Sequence, residues 1–164
     1  MHSRLLKLVR LNRTRMDYLE KFRQMIDEYN AGSLNVEEFF TQLVNFARQL
    51  NQEEKRHIGE QLTEEELALF DLLTKPRLQL TKKEEKQVKR VARELLQTLK
   101  NEKLVLDWRK KQQARAAVQV CIRDYLDRLP AAFAPGLREE KCVLAYQHIY
   151  ESYYGEGHGI YPAA

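Results

Sequence analysis

Apolar residues recur at intervals of three and four along most of the chain, the period of a helix with one buried face. The first stripe, Leu5, Leu8, Val9, Met16, Leu19, Phe22, Ile26 and Tyr29, predicts a helix over about residues 4–30, with Asn12 and Arg23 interrupting or bordering it. Ala31-Gly32-Ser33 ends it, because Gly32 suits the left-handed position that closes a helix. Asn35 then caps a second helix, with Glu38 three residues on. Its stripe is Val36, Phe39, Phe40, Leu43, Val44, Phe46, Ala47 and Leu50. Residues 51–62 are polar and fit either an extension of that helix or a break.

Thr63 and Glu66 spell a capping box, which predicts a short helix with Leu67, Phe70 and Leu73 inward. Lys75-Pro76 ends it, since the residue before proline is pushed out of the helical region. Residues 77–80 connect to a second box, Thr81 with Glu84, and a helix to about residue 101. There Val88, Val91, Ala92, Leu95 and Leu99 fall in a narrow arc, opposite Lys82, Lys86, Lys89, Arg90, Arg93 and Lys100. A break is expected near residues 101–103. Leu104-Val-Leu106 then leads to Asp107 as the cap of a further helix, with Trp108 as a core anchor. The inward face of that helix is Ala114, Ala117, Val118, Cys121, Ile122, Tyr125 and Leu129. Leu129-Pro130 closes it and Phe133–Gly136 is a loop. The last helix spans about 137–154, with Val143, Tyr146, Ile149, Tyr150 and Tyr153 inward and Gly155 at its end.

The only strand candidates, Leu78–Leu80 and Leu104–Leu106, are three residues long. The pattern therefore predicts an all-α fold, a bundle of five or six amphipathic helices without significant sheet. Residues 1–32 read as a long N-terminal helix, suited to link from upstream domains. Residues 33–154 read as the bundle, and 155–164, with Gly155, Gly157 and Gly159, as a flexible tail.

Composition narrows the class. Of 164 residues, 43% are hydrophobic, too many for a disordered chain, and 32% are charged. No run approaches the roughly 18 apolar residues of a membrane span. The first ten residues carry charge among their apolar positions, unlike a secretory signal. Cys121 and Cys142 sit within helical pattern and read as small hydrophobes in a reducing compartment, which places the protein in the cytoplasm. Net charge is +4 but uneven: residues 33–76 carry −5 and residues 77–129 carry +8. One surface is therefore expected to be strongly positive.

Candidate chemistry is sparse. No glycine-rich loop follows a strand to cradle phosphates. His2, His57, His148 and His158 stand apart from one another and from the cysteines, so no zinc spacing exists. Glu84-Glu-Lys86 and Glu139-Glu-Lys141 spell part of a nuclease motif, but both fall at helix starts, where the dipole alone favours acids. No catalytic, cofactor-binding or metal-binding residue is assigned. The basic face of helix 82–100 offers Lys82, Lys86, Lys89, Arg90 and Arg93 as DNA phosphate contacts, against a plain solvated face. Glu85 and Glu94 dilute it and no aromatic residue interleaves it to stack on bases. Five of the eight tyrosines, Tyr146, Tyr150, Tyr153, Tyr154 and Tyr161, lie in the last 19 residues. Their spacing suits packing, and tyrosine also suits an interface.

The stretches Leu62–Thr74, Leu104–Val118 (with Asp107-Trp-Arg-Lys-Lys111) and Leu126–Pro130 resemble the C-terminal helical domain of the type I restriction enzyme R subunit, over about residues 20–154. The Asp-Trp-Arg-Lys-Lys block is the most specific part. In that family an N-terminal nuclease domain and two helicase-like motor domains precede this region. The nuclease and Walker motifs are missing here, so the chain reads as the noncatalytic C-terminal portion. ATP and Mg2+ are implied only for the whole subunit, a type I site-specific deoxyribonuclease. The resemblance implies docking of the translocating subunit onto the methyltransferase core, mainly its M subunit. DNA is a partner of the complete assembly, and no membrane is involved. Arg109, Lys110, Tyr146, Tyr150, Tyr153 and Tyr154 are the docking candidates. As first-turn cations, Arg109 and Lys110 would oppose the helix dipole, so an acidic neighbour or partner is expected to compensate them.

Overall fold

The computed structural model describes residues 1–75, 78–155 and 158–161. Among them are eight α-helices and one two-stranded sheet, and the chain is essentially all-α. Contacts divide it into two units, Met1–Thr63 and the part from Glu64 onward. The helix after Asn35 thus groups with the N-terminal helices.

In the first unit, the helix expected over 4–30 is two: α1 (His2–Leu11) and α2 (Met16–Asn30). The break is at Asn12, whose backbone turns extended (φ −151°, ψ 103°). Its side chain accepts from Thr14 N at 3.1 Å, starting the 3-10 turn Arg13–Arg15. Asparagine offers the backbone this local bond in place of the helix. Helix α2 stops as expected at Gly32 (φ +78°), where Ser33 N donates to Glu28 O and Gly32 N to Tyr29 O. Helix α3 (Val36–Glu54) is capped by Asn35, which accepts from Glu38 N at 2.8 Å. The polar stretch proves to be a break: α3 ends at Glu54, and α4 (Arg56–Gly59) is a single turn closed by left-handed Gln61.

Leu5, Leu8, Val9, Leu19, Met25, Phe46 and Leu50 form the core here, with Phe22, Phe39 and Leu43 packed against it. Val36, Phe40 and Val44, counted in the inward stripe of α3, are exposed instead. They follow one another at four-residue steps on a side that α1 and α2 do not cover.

Arg4 Nε donates to Glu54 Oε1 at 2.8 Å, and this bond holds the Glu54 carboxyl below its usual range. A carboxylate so depressed contributes stability above its unfolded pKa of about 4.3, and that contribution is lost as pH falls through the lower folded value. Urea denaturation across pH 2–6 is expected to show this loss on the acid side, and Glu54→Gln to flatten it. With the side chains 35% and 36% exposed, solvent screening keeps the effect below about 1 kcal/mol.

The second unit is a ring of four helices: α5 (Glu64–Thr74) packs on α6 (Lys82–Thr98) and α8 (Pro135–Ser152), and α7 (Gln112–Leu126) closes against α6 and α8. Thr81 and Glu84 form the expected reciprocal capping box. All five positions expected to face inward are buried, Val88, Val91, Ala92 and Leu95 on α6 and Leu99 just past its end. The break expected at 101–103 is a π-turn, Leu99–Lys103, and the chain leaves the helix at Leu104. Asp107 caps no helix: it takes a left-handed backbone (φ 56°), Trp108–Lys110 is a 3-10 turn, and α7 starts at Gln112. Asp107 does not serve as the expected cap because a left-handed residue cannot hold the extended N-cap conformation.

On α8, Val143 points outward, 61% exposed, while Lys141, His148 and Ser152 are buried with Ala145 and Ile149. Lys141 Nζ donates to the Leu72 and Lys75 carbonyls at 2.9 and 2.6 Å, placing a cation on the C-terminal carbonyls of α5. At Gly155 and over 158–161 the expected tail is paired and packed. Strand β1 (Tyr153–Gly155) pairs antiparallel with β2 (His158–Gly159), Ile160 N donates to Ser152 O at 2.9 Å, and Tyr161 packs its ring 5.9 Å from Tyr153. At Gly159 a Cβ would collide with Ser152 O, so this approach excludes any side chain. The remainder of the expected tail, at 156, 157 and 162–164, lies outside the described residues.

Candidate functional site

The Asp-Trp-Arg-Lys-Lys block meets the C-terminal tyrosines on one face of the second unit. Trp108 is fully buried and stands edge-on to Tyr146 and Tyr150, with centroids 6.5 and 5.8 Å away. Its Nε1–H has no hydrogen-bond partner among the described residues. The next residue turns outward. The Arg109 guanidinium lies over the Tyr150 ring at 5.6 Å and the Tyr154 ring at 5.3 Å, and one nitrogen donates to Tyr150 O at 3.3 Å. Arg115 donates to the Arg109 carbonyl at 2.7 Å and steadies the turn from below.

Tyr150 is 40% and Tyr154 45% exposed, so both rings reach solvent beside the cation. Gly155 brings β1 against the backbone of Val105, Leu106 and Asp107. The exposed Val105 and Leu106, which the pattern marked only as a lead-in, therefore join the same face. Lys110 and Lys111 are exposed alongside. Tyr146, half-buried, also lines a groove of about 230 Å3 with Gln119, Arg123, Glu139, Cys142 and Val143.

Tyr153 is a different case among the candidates. It is 1% exposed, and its hydroxyl donates to Glu65 Oε1 at 2.7 Å, where Lys100 also binds. Burial, reinforced by the Glu65 charge, raises its pKa far above the ordinary tyrosine value. Tyr153 anchors the face from within and cannot touch a partner. Nothing in the sequence marked Glu65 for this role, 88 residues away.

The basic helix face is partly used internally. Lys89 sits over the Phe70 ring at 5.5 Å, Arg93 pairs with Glu66 at 3.5 Å and Lys100 with Glu65 at 3.0 Å. Lys82, Lys86 and Arg90 are exposed. In the two Glu-x-Lys spellings, Glu84 serves the capping box and Lys141 binds the C-terminal carbonyls of α5. Among the described residues, no three His, Cys, Asp or Glu side chains gather to hold a metal ion, and no helix is long and apolar enough to cross a membrane. The thiols of Cys121 and Cys142 are held protonated by burial.

Residues 3–151 match the family described as type I restriction enzyme HindI endonuclease subunit-like, C-terminal. The chain belongs to this family, the C-terminal regions of type I restriction endonuclease subunits. One relative, a protein of Methanocaldococcus jannaschii described as a type I restriction enzyme MjaIXP endonuclease subunit, is 30% identical over 109 residues. The match takes in 65% of this chain and 10% of that relative's length. No solved structure matches the chain.

Proposed function

We propose that this chain is the noncatalytic docking domain of a type I restriction endonuclease subunit, attaching the ATP-dependent, DNA-translocating part to the methyltransferase core through its M subunit, in the cytoplasm. One observation carries the reading. Arg109, Lys110 and Lys111 stand on a face with exposed Val105, Leu106, Tyr150 and Tyr154. Aromatic and arginine anchors beside apolar contacts are what protein interfaces concentrate. The shallow groove at Tyr146 would extend that contact rather than hold a substrate.

Titrating the chain with a purified methyltransferase of M and S subunits in a calorimeter is expected to show complex formation. Leu106→Asp, which adds a charge at a 59% exposed position, should weaken it at least about tenfold without changing thermal unfolding. No heat of binding to the methyltransferase would overturn the reading. Duplex DNA is expected to bind weakly. A log–log salt slope of several phosphate contacts, about −0.9 each, abolished by replacing Lys82, Lys86 and Arg90, would move the function to α6.

A further inference from the structure

We infer that the docking face recognises a segment of its protein partner in which a carboxylate stands between apolar side chains, with Arg109 as the receptor for that carboxylate. The inference rests on the docking function proposed above and names the chemistry of the partner. A guanidinium has five N–H donors in a planar fork. Arg109 spends one of them within the chain, on Tyr150 O, and stands over two tyrosine rings. Those contacts hold the guanidinium in place before any partner arrives and leave donors for paired hydrogen bonds to a carboxylate.

Charge balance points the same way. Several cations of this unit meet a carboxylate: Lys100 meets Glu65, Arg93 Glu66, Arg123 Glu139, Arg128 Glu94 and Arg138 Asp127. Arg109, Lys110 and Lys111 have no carboxylate within ion-pair distance among the described residues. The cations of α6 also include unpaired ones, but no large apolar residue is exposed between Gly59 and Leu104. That face offers charge alone, as a polyphosphate requires. The face at Arg109 offers charge together with Val105, Leu106 and Tyr154, which a nucleic-acid backbone does not use and an acidic, apolar peptide segment does.

Zero-length carbodiimide coupling tests this, because it joins an amine only to a carboxylate in contact with it. The chain bound to the M–S methyltransferase is expected to give Lys110 or Lys111 coupled to an aspartate or glutamate of the M subunit, read by mass spectrometry. In parallel, Arg109→Lys, which keeps the charge but loses the fork, should weaken methyltransferase binding at least about tenfold, the worth of one charge-assisted bond. Lys82→Gln should leave it unchanged, and circular dichroism should show Arg109→Lys folded. If the complex forms but Arg109→Lys binds equally, or coupling appears only at other lysines, the inference falls and docking stands. If wild type does not bind, docking falls with it. Self-coupling of the chain through Lys110 in a sedimenting dimer would also overturn the inference by making a second copy the occupant.

Discussion

Replacing Glu53 by alanine is expected to cost about 3–5 kcal/mol, the largest loss for any charged residue of the first unit. Glu53 is 7% exposed and receives Arg15 Nε at 3.0 Å and Arg56 Nε at 3.0 Å. Arg15 is 1% exposed, so without Glu53 its guanidinium stays buried and loses the carboxylate that its Nε donates to. The reverse change should cost less. In Arg15→Ala, Glu53 keeps Arg56, whose side chain is 27% exposed and draws its own solvation. The order Glu53→Ala worse than Arg15→Ala is what urea denaturation followed at 222 nm should return. Equal losses would mean that the pair acts as an ordinary surface bridge.

Trp108→Ala is expected to cost the second unit a similar amount, about 3–5 kcal/mol, as the ring leaves a cavity beneath Tyr146 and Tyr150. Trp108→Phe should cost far less. It keeps an aromatic edge toward the tyrosines and removes a buried N–H without an acceptor, a penalty of about 1–3 kcal/mol that offsets the lost volume. Thermal unfolding compared across the two variants decides the matter. A phenylalanine variant as unstable as the alanine one would show that the indole N–H is satisfied in solution.

Helices were legible where one apolar stripe met one capping signal. Helix α6 has both, in Thr81–Glu84 and the arc from Val88 to Leu99, and every inward position is buried. Helix α8 defeated the same reasoning because its buried face is partly polar. Lys141 goes inside since α5 ends there with open carbonyls, and Ser152 and His148 lie 3.4 Å from each other, while apolar Val143 faces out. The partners of Lys141 lie 66 and 69 residues away, where no local window reaches. Asn12 was visible as an interruption, but local propensity does not say whether an asparagine is tolerated or bends the chain. For the candidate site, the Asp-Trp-Arg-Lys-Lys block and the tyrosines were both visible as separate features. Their meeting was not, because it depends on a left-handed turn at Asp107 and on the C-terminal hairpin.

That hairpin is seated by an atom that is missing. Ser152 O accepts from Ile160 N exactly where residue 159 has only hydrogen to spare, so a methyl group there would lift the closing strand from its bed. Tyr161 would lose its ring neighbour, and Tyr154, carried on the same strand as Tyr153, would lose its fixed place over Arg109. The place of Tyr154 over Arg109 is thus governed by a residue with no side chain, on the opposite strand of the hairpin.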